Sequence, residues 1–326
     1  LTSFREYAAI RMNKLNEEAL ATKGNNFSAH NTMYPTFLMC PPFNLTADNA
    51  NNTFMKKLPK ADRVVDQKKA FRQFLQVYNY VASDALVYVL PHTYGLQDQS
   101  FVANLGIVLP HWKDGRTVVI SNFRSEPRRG ETQPGVEFFN GMNYDVHVSP
   151  KYFEGEADLK FVNGNNYIGA AGIRTTEPAL KWMRDNFDMN IVSIENDSQE
   201  LYHLDCMMYP LFSNKLLAVT KHMSARNKRE IEKFCEIIEV PNEIAATGLT
   251  NCVGLYGQVL CSSEISEMKV TDEGYELERK KVDFLTKVCA QNELEPVFFN
   301  LSEYAKNGAD LSCMFMHLNY NRLMES

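Results

Sequence analysis

Apolar and polar positions alternate along this chain in two rhythms. Short runs rich in Val, Ile, Leu and Phe, at residues 37–40, 86–90, 101–108, 118–120, 159–162, 191–194, 216–219, 237–240, 253–260, 297–301 and 313–318, predict strands. Between them, 68–83, 177–188, 225–235 and 280–292 carry apolar residues three and four apart, which predicts amphipathic helices. Alternation over the whole length indicates an α/β architecture. No Pro/Gly/Ser-rich linker interrupts it, so residues 1–326 read as one domain, with 1–35 as an N-terminal extension or helix. Dividing the length among paired-strand and helix units gives about five units of roughly 65 residues, a spacing that suits a closed repeat architecture, although the units share no visible sequence.

Composition narrows the partners. With 44% hydrophobic and 23% charged residues, the chain can build a sizeable core. A net charge of −6 disfavours attraction to nucleic acid or anionic lipid, both of which need clustered Lys and Arg. The longest apolar runs, 85–90 and 101–110, fall far short of a bilayer span of roughly 20 residues. The first twenty residues read as a charged helix rather than a secretory leader. The seven cysteines (40, 206, 235, 252, 261, 289, 313) are odd in number and contain no CxxC pair, which suggests neither a disulfide framework nor a zinc site. Asn-x-Ser/Thr triplets such as Asn44-Leu45-Thr46 fit chance in an Asn-rich chain. The expectation is a cytoplasmic protein with reduced thiols and no cofactor or metal. Its partner would be a small molecule, not nucleic acid or membrane, and a homo-oligomer is left open.

Three segments concentrate reactive side chains among small residues: Phe153-Glu154-Gly155-Glu156-Ala157-Asp158, Tyr202-His203-Leu204-Asp205 and Gly308-Ala309-Asp310-Leu311-Ser312-Cys313. They offer a carboxylate, an imidazole and a thiol. A thiol becomes a strong nucleophile when a nearby cation lowers its pKa, and a carboxylate can orient the histidine that moves the protons. Residue types alone leave many other Cys, His and acid combinations open. Cys252, in an apolar run, reads as a small buried hydrophobe, and Cys206 as a neighbour of the site that takes no part.

The order and flanks of these segments resemble the guanidine-modifying enzymes: arginine deiminases, dimethylarginine dimethylaminohydrolases, arginine dihydrolases and amidinotransferases. The matching pieces begin with Met39-Cys40-Pro41-Pro42, Asn52-Thr53-Phe54-Met55, the stretch from Asp98 through Asn104 to Gly106, and that from Phe123 through Arg128-Arg129 to Glu131. They continue with Phe153 to Asp158, Gly172-Ile173-Arg174-Thr175, Tyr202 to Asp205, and Ser302-Glu303-Tyr304 leading into Ser312-Cys313-Met314. The resemblance implies a pentein-type α/β propeller of five ββαβ units around a pseudo-fivefold axis, with the site in its central channel. It further implies that Cys313 attacks a guanidinium carbon to form a covalent amidino-thioether. His203 would protonate the departing amine and then take a proton from the attacking water. Its acid partner would be Glu154, which follows an aromatic residue, or else Glu156. Asp205 would grip the guanidinium, pointing the same way as His203 if the segment is extended. Asn52 and Asp98 lie in segments implied to bind substrate, and Arg174 and Arg129, with Arg128 as the alternative, match positions that meet the substrate carboxylate or line its entrance.

Asn104 bears on the reaction. Deiminase-like relatives commonly carry an Asp there, and a neutral amide resembles the dihydrolase branch, because it can accept from a guanidinium and donate to a ureido oxygen. The Gly308-Ala309 pair, where relatives often have two glycines, and the Asn-rich stretch from 43 to 55 depart from the pattern at the substrate's entrance. The implied function is hydrolysis of arginine or a derivative. The alternatives are an amidinotransferase, a dimethylarginine dimethylaminohydrolase, and a silent protein of the same fold.

Overall fold

The computed structural model describes residues 34–212 and 214–320, so the expected N-terminal helix and most of the 1–35 extension lie outside the described residues. Among the described residues fifteen strands form five three-stranded sheets of one topology. In one sheet β3 (Gly106–Val108) pairs antiparallel with β4 (Thr117–Ile120), the helix Thr132–Gly141 crosses over, and β5 (Asp145–Val148) returns parallel to β4. The same order recurs in β6 (Leu159–Asn163), β7 (Asn166–Gly172), helix Glu177–Phe187 and β8 (Asn190–Asn196). It recurs again in β9 (Met208–Phe212), β10 (Lys215–Ala218), helix Ala225–Ile231 and β11 (Glu236–Glu239). A further unit comprises β12 (Val253–Leu255), β13 (Gln258–Ser262), helix Tyr275–Gln291 and β14 (Glu295–Phe299). The remaining unit joins the two ends of the chain. There β15 (Met316–His317) pairs antiparallel with β1 (Thr36–Met39), and β2 (Leu86–Val89) follows the helix Gln67–Ala82, parallel to β1.

Local sequence accounts for these elements. The Asp66 side chain accepts from the backbone N–H of Lys68 and Lys69 and so caps helix Gln67–Ala82, which buries Ala70, Phe74, Val77 and Val81 along one stripe. Each apolar cluster joins neighbouring sheets. Leu38 and Met316 meet Val118 and Ile120; Ile107 and Val119 meet Tyr167 and Leu180; and Phe37 and Phe74 meet Val253 and Leu260. The largest cluster runs from Ile168 through Leu216 and Leu217 to Val259 and Leu285.

Three strands escape the pattern reading for visible reasons. Strand β5 is a half-exposed edge, β7 contains two glycines, and β9 contains Pro210, which an edge strand beside an irregular register tolerates. The 253–260 run is two strands of a hairpin that turns at Tyr256-Gly257, where Tyr256 has φ +50°. Two other runs are corrected. Residues 101–108 begin as a 3-10 turn, Val102–Asn104, and only then become β3; residues 313–318 begin in the 3-10 turn Ser312–Met314. Both carry candidate chemistry, and both turn tightly at the point where it is delivered.

Candidate active site

Each sheet's first strand is preceded by a tight segment, and these segments bring the candidate residues together. The 3-10 turn Val102–Asn104 precedes β3, the short helix Gly155–Asp158 precedes β6, Leu204–Cys206 precedes β9, residues 248–252 precede β12, and Ser312–Met314 precedes β15. The Gly155–Asp158 helix touches both Val102–Asn104 and Leu204–Cys206, and Val102–Asn104 touches Ser312–Met314. Gly155 is required for this approach. It has φ +62°, and a Cβ there would lie 2.3 Å from the Ala103 carbonyl oxygen, closer than any side chain permits.

The acid that meets His203 is Glu154, at 2.9 Å between Oε2 and Nε2, with both residues buried. Arg174 Nη1 lies 3.3 Å from the same oxygen, and Arg174 Nη2 donates to the Asn51 carbonyl. Burial alone would push the Glu154 carboxyl up, but Arg174 and then His203 outweigh it and hold it at about 2. Glu156 faces elsewhere. Its carboxylate accepts from the backbone N–H of His317 and from Tyr320, and pairs with His317 Nδ1 at 2.7 Å, beside a second cavity. Asp158 ties the segments together, accepting from the Thr175 backbone and hydroxyl and from the Leu204 N–H, and burial raises its carboxyl to about 6.

The depressed Glu154 pKa has a testable sign. A carboxyl that ionises more readily when folded stabilises the fold above its unfolded pKa of about 4.5, and that contribution is lost as pH falls toward about 2. Its full size is about 3 kcal/mol. Glu154→Gln should therefore flatten the fall in Tm between pH 4.5 and 2 relative to the unsubstituted chain. Parallel Tm curves for the two proteins would contradict the assignment.

Cys313 Sγ lies 3.8 Å from Asp205 Oδ2 and 3.7 Å from both amide atoms of Asn251. Burial first, and the Asp205 carboxylate second, push this thiol well up, so it rests neutral. Asp205 also accepts from the Ser312 hydroxyl at 3.1 Å. It sits in the 3-10 turn that starts after extended His203, rather than in the extended segment expected for both residues.

Cys313, His203, Asn104, Arg174, Arg128, Asp98, Asn52 and their neighbours line one cavity. Asn104 Nδ2 is 3.4 Å from His203 Nε2. Toward the other end, Asp98 is held by the amides of Asn51, Gln97 and Asn307 at 2.6, 3.0 and 3.0 Å. The Asn52 amide is committed to structure, capping the helix Thr53–Lys57 through Met55 N–H and donating to the Asn307 carbonyl. Asn307 Oδ1, also buried, makes no hydrogen bond within the described residues.

The choice between the two arginines is corrected. Arg129 is exposed and reaches only the Arg124 carbonyl, whereas Arg128 is buried, lines the cavity and forks onto Glu131 at 2.9 and 2.7 Å. Adjacent basic residues in a tight turn point to different sides, and only the one with a buried acid three positions on turns inward. Sequence reading also passed over Asn51, Tyr202, Asn251 and Asn307. Tyr202 packs its ring 5.2 Å under the Arg174 guanidinium and donates to the Gly308 carbonyl. The signal for Asn307 was its place immediately before the 308–313 segment that carries Cys313.

No family model matches the chain. It is 30% identical over 200 residues to the bifunctional arginine dihydrolase/ornithine cyclodeaminase AgrE of Nostoc sp., which covers 60% of this chain. The chain spans about a quarter (27%) of the length of that relative. In fold it is similar to the N-terminal domain of the cyanobacterial arginine dihydrolase ArgZ, solved as a cysteine-to-serine variant bound to substrate. That likeness has a TM-score of 0.75 at 23% identity and covers 87% of this chain and 98% of that one. It is also similar to a dimethylarginine dimethylaminohydrolase, with a TM-score of 0.64 at 19% identity over 87% of this chain and 99% of the other. In its ordered motifs from residue 39 onward the chain resembles the guanidine-modifying enzymes, and it shares the fold of an arginine dihydrolase domain and of a dimethylarginine dimethylaminohydrolase.

Proposed function

We propose that the chain is a cysteine-dependent hydrolase that cleaves carbon–nitrogen bonds of the guanidine group of arginine or an arginine derivative. We further propose that its five units close as one domain about a pseudo-fivefold axis. The observation that carries the reaction is the buried Cys313 thiol 3.8 Å from the Asp205 carboxylate, in the same cavity as a histidine gripped by Glu154. A thiolate is unfavourable there until a cation arrives, so a guanidinium held by Asp205 would activate its own nucleophile.

In this reading Sγ bonds to the guanidinium carbon. His203, donating through Nε2 to Glu154, uses its other nitrogen to protonate the departing amine as the carbon–nitrogen bond breaks. Ammonia leaves a covalent amidino-thioether. Water then gives a proton to the same nitrogen and attacks the carbon, and collapse expels the thiolate to leave a ureido product. A second round on the ureido carbon releases another ammonia and a carbamate, which loses carbon dioxide to give the free amine. The amide-held Asp98 and the bare Asn307 Oδ1 suit an α-ammonium group, and Arg174 and Arg128 suit a carboxylate. All seven cysteines are free, which fits a reducing cytoplasm. Among the described residues no helix is long and apolar enough to cross a membrane.

Asn104 favours the two-step outcome, since its amide can donate to a ureido oxygen where a carboxylate cannot. With L-arginine the protein should release ornithine and about two ammonia per turnover, one from each C–N cleavage. Asn104→Asp should weaken the second step by about 1–3 kcal/mol and accumulate citrulline with roughly one ammonia. Should the unsubstituted protein stop at citrulline, the dihydrolase reading is lost. A requirement for methylated arginine or an amine acceptor would point to the dimethylaminohydrolase or amidinotransferase instead.

A further inference from the structure

Four of the five segments that precede a first strand supply Asn104, Glu154, His203 with Asp205, and Cys313. The fifth, residues 248–252, has no role so far, yet it places Asn251 against the nucleophile. Asn251 is 1% exposed. Its Oδ1 accepts the Ser312 N–H at 2.8 Å, which fixes which way the amide faces, since a backbone N–H can only donate. The other amide atom, Nδ2, then lies 3.7 Å from Sγ with protons to give.

Resting on Cys313 as the nucleophile, we infer that Asn251 is a catalytic residue that holds the thiolate. Once the thiol proton has gone to solvent, Nδ2–H donates to the anionic sulfur while Oδ1 stays on the Ser312 N–H. In the resting thiol the roles reverse, because S–H can donate to Asn251 Oδ1 at 3.7 Å or to Asp205 Oδ2 at 3.8 Å. The need is physical. The sulfur lies 3.8 Å from Asp205 Oδ2, the Asp205 and Asp310 carboxylates both disfavour its charge, and the Asp310 backbone and the Asn251 amide favour it. The incoming guanidinium supplies attraction from the substrate side only. A fixed donor behind the sulfur keeps the anion in place while the carbon–sulfur bond forms and again when it breaks.

Asn251→Asp separates this role from a structural one, because it keeps the acceptor for Ser312 N–H and removes the donor to sulfur. Iodoacetamide alkylation of Cys313, followed by peptide mass spectrometry across pH, should show a midpoint about one unit or more higher in Asn251→Asp than in the unsubstituted protein. On L-arginine, kcat should fall about 100-fold, the usual cost of one lost donor to a reacting anion, with KM within a few-fold. Asn251→Ser should shift the midpoint in the same direction. In the unsubstituted protein the Asn251 Nδ2 proton resonances should move with alkylation competence, and should stop doing so in Cys313→Ser. The inference is overturned if Asn251→Asp keeps both midpoint and kcat, or if those resonances do not respond. Full turnover by Cys313→Ser would instead overturn the nucleophile assignment beneath it.

Discussion

Cys313→Ser is expected to lose turnover by at least about 10⁴-fold, the scale seen when a covalent nucleophile is removed. The hydroxyl does not ionise near neutral pH, and among the described residues no base in direct contact with Sγ could take its proton except Asp205, which would hold the substrate cation. The fold should survive. Serine is close in size to cysteine, and its hydroxyl can donate to Asp205 Oδ2 and meet the Asn251 amide, so Tm should stay within a few degrees. Initial rates on L-arginine and a thermal melt of the same sample check both halves. Near-normal activity would mean that another of the seven cysteines does the chemistry.

Glu154→Gln should be the next most damaging change, and it should act on stability and rate together. Glu154 is fully buried and pairs with Arg174 at 3.3 Å and His203 at 2.9 Å. Removing its charge leaves the Arg174 guanidinium buried without compensation, at a cost of about 3–5 kcal/mol. The imidazole also loses the acceptor that fixes its tautomer and orientation, so kcat should drop by about 10²–10⁴. Glu156→Gln is the control. It alters the His317 and Tyr320 contacts and leaves His203 untouched, so kcat should change only a few-fold. The reverse ranking of the two variants would make Glu156 the working acid.

Much of this site was legible because its chemistry sits in short motifs that keep their order. Cys313, His203, Asp205 and Glu154 were all readable from flanking residues, and all converge. What the sequence hid was direction. Arg128 and Arg129 are adjacent and alike in type, and only the buried fork to Glu131 decides which one enters the cavity. Asn251 was masked by the apolar run that follows it and by the more conspicuous Cys252 beside it. The fold reading was good where strands are buried on both faces, as in β1, β4 and β10, and poor where Gly or Pro interrupts a strand, as in the central β7 and the edge strand β9. Strand was also expected at 102–104 and 313–314, where the chain forms tight turns, because tight apolar turns and buried strands share a composition.

The central claim is a covalent bond between Cys313 and the guanidine carbon of the substrate. Acid-quenching the protein during steady turnover of L-arginine, digesting it and mapping every cysteine peptide by mass tests this directly. The account predicts that the peptide containing Cys313 carries the mass of arginine less ammonia, that the other six cysteines remain unmodified, and that the adduct disappears in Cys313→Ser. Turnover with no adduct on Cys313, or an adduct on any other cysteine, would contradict it.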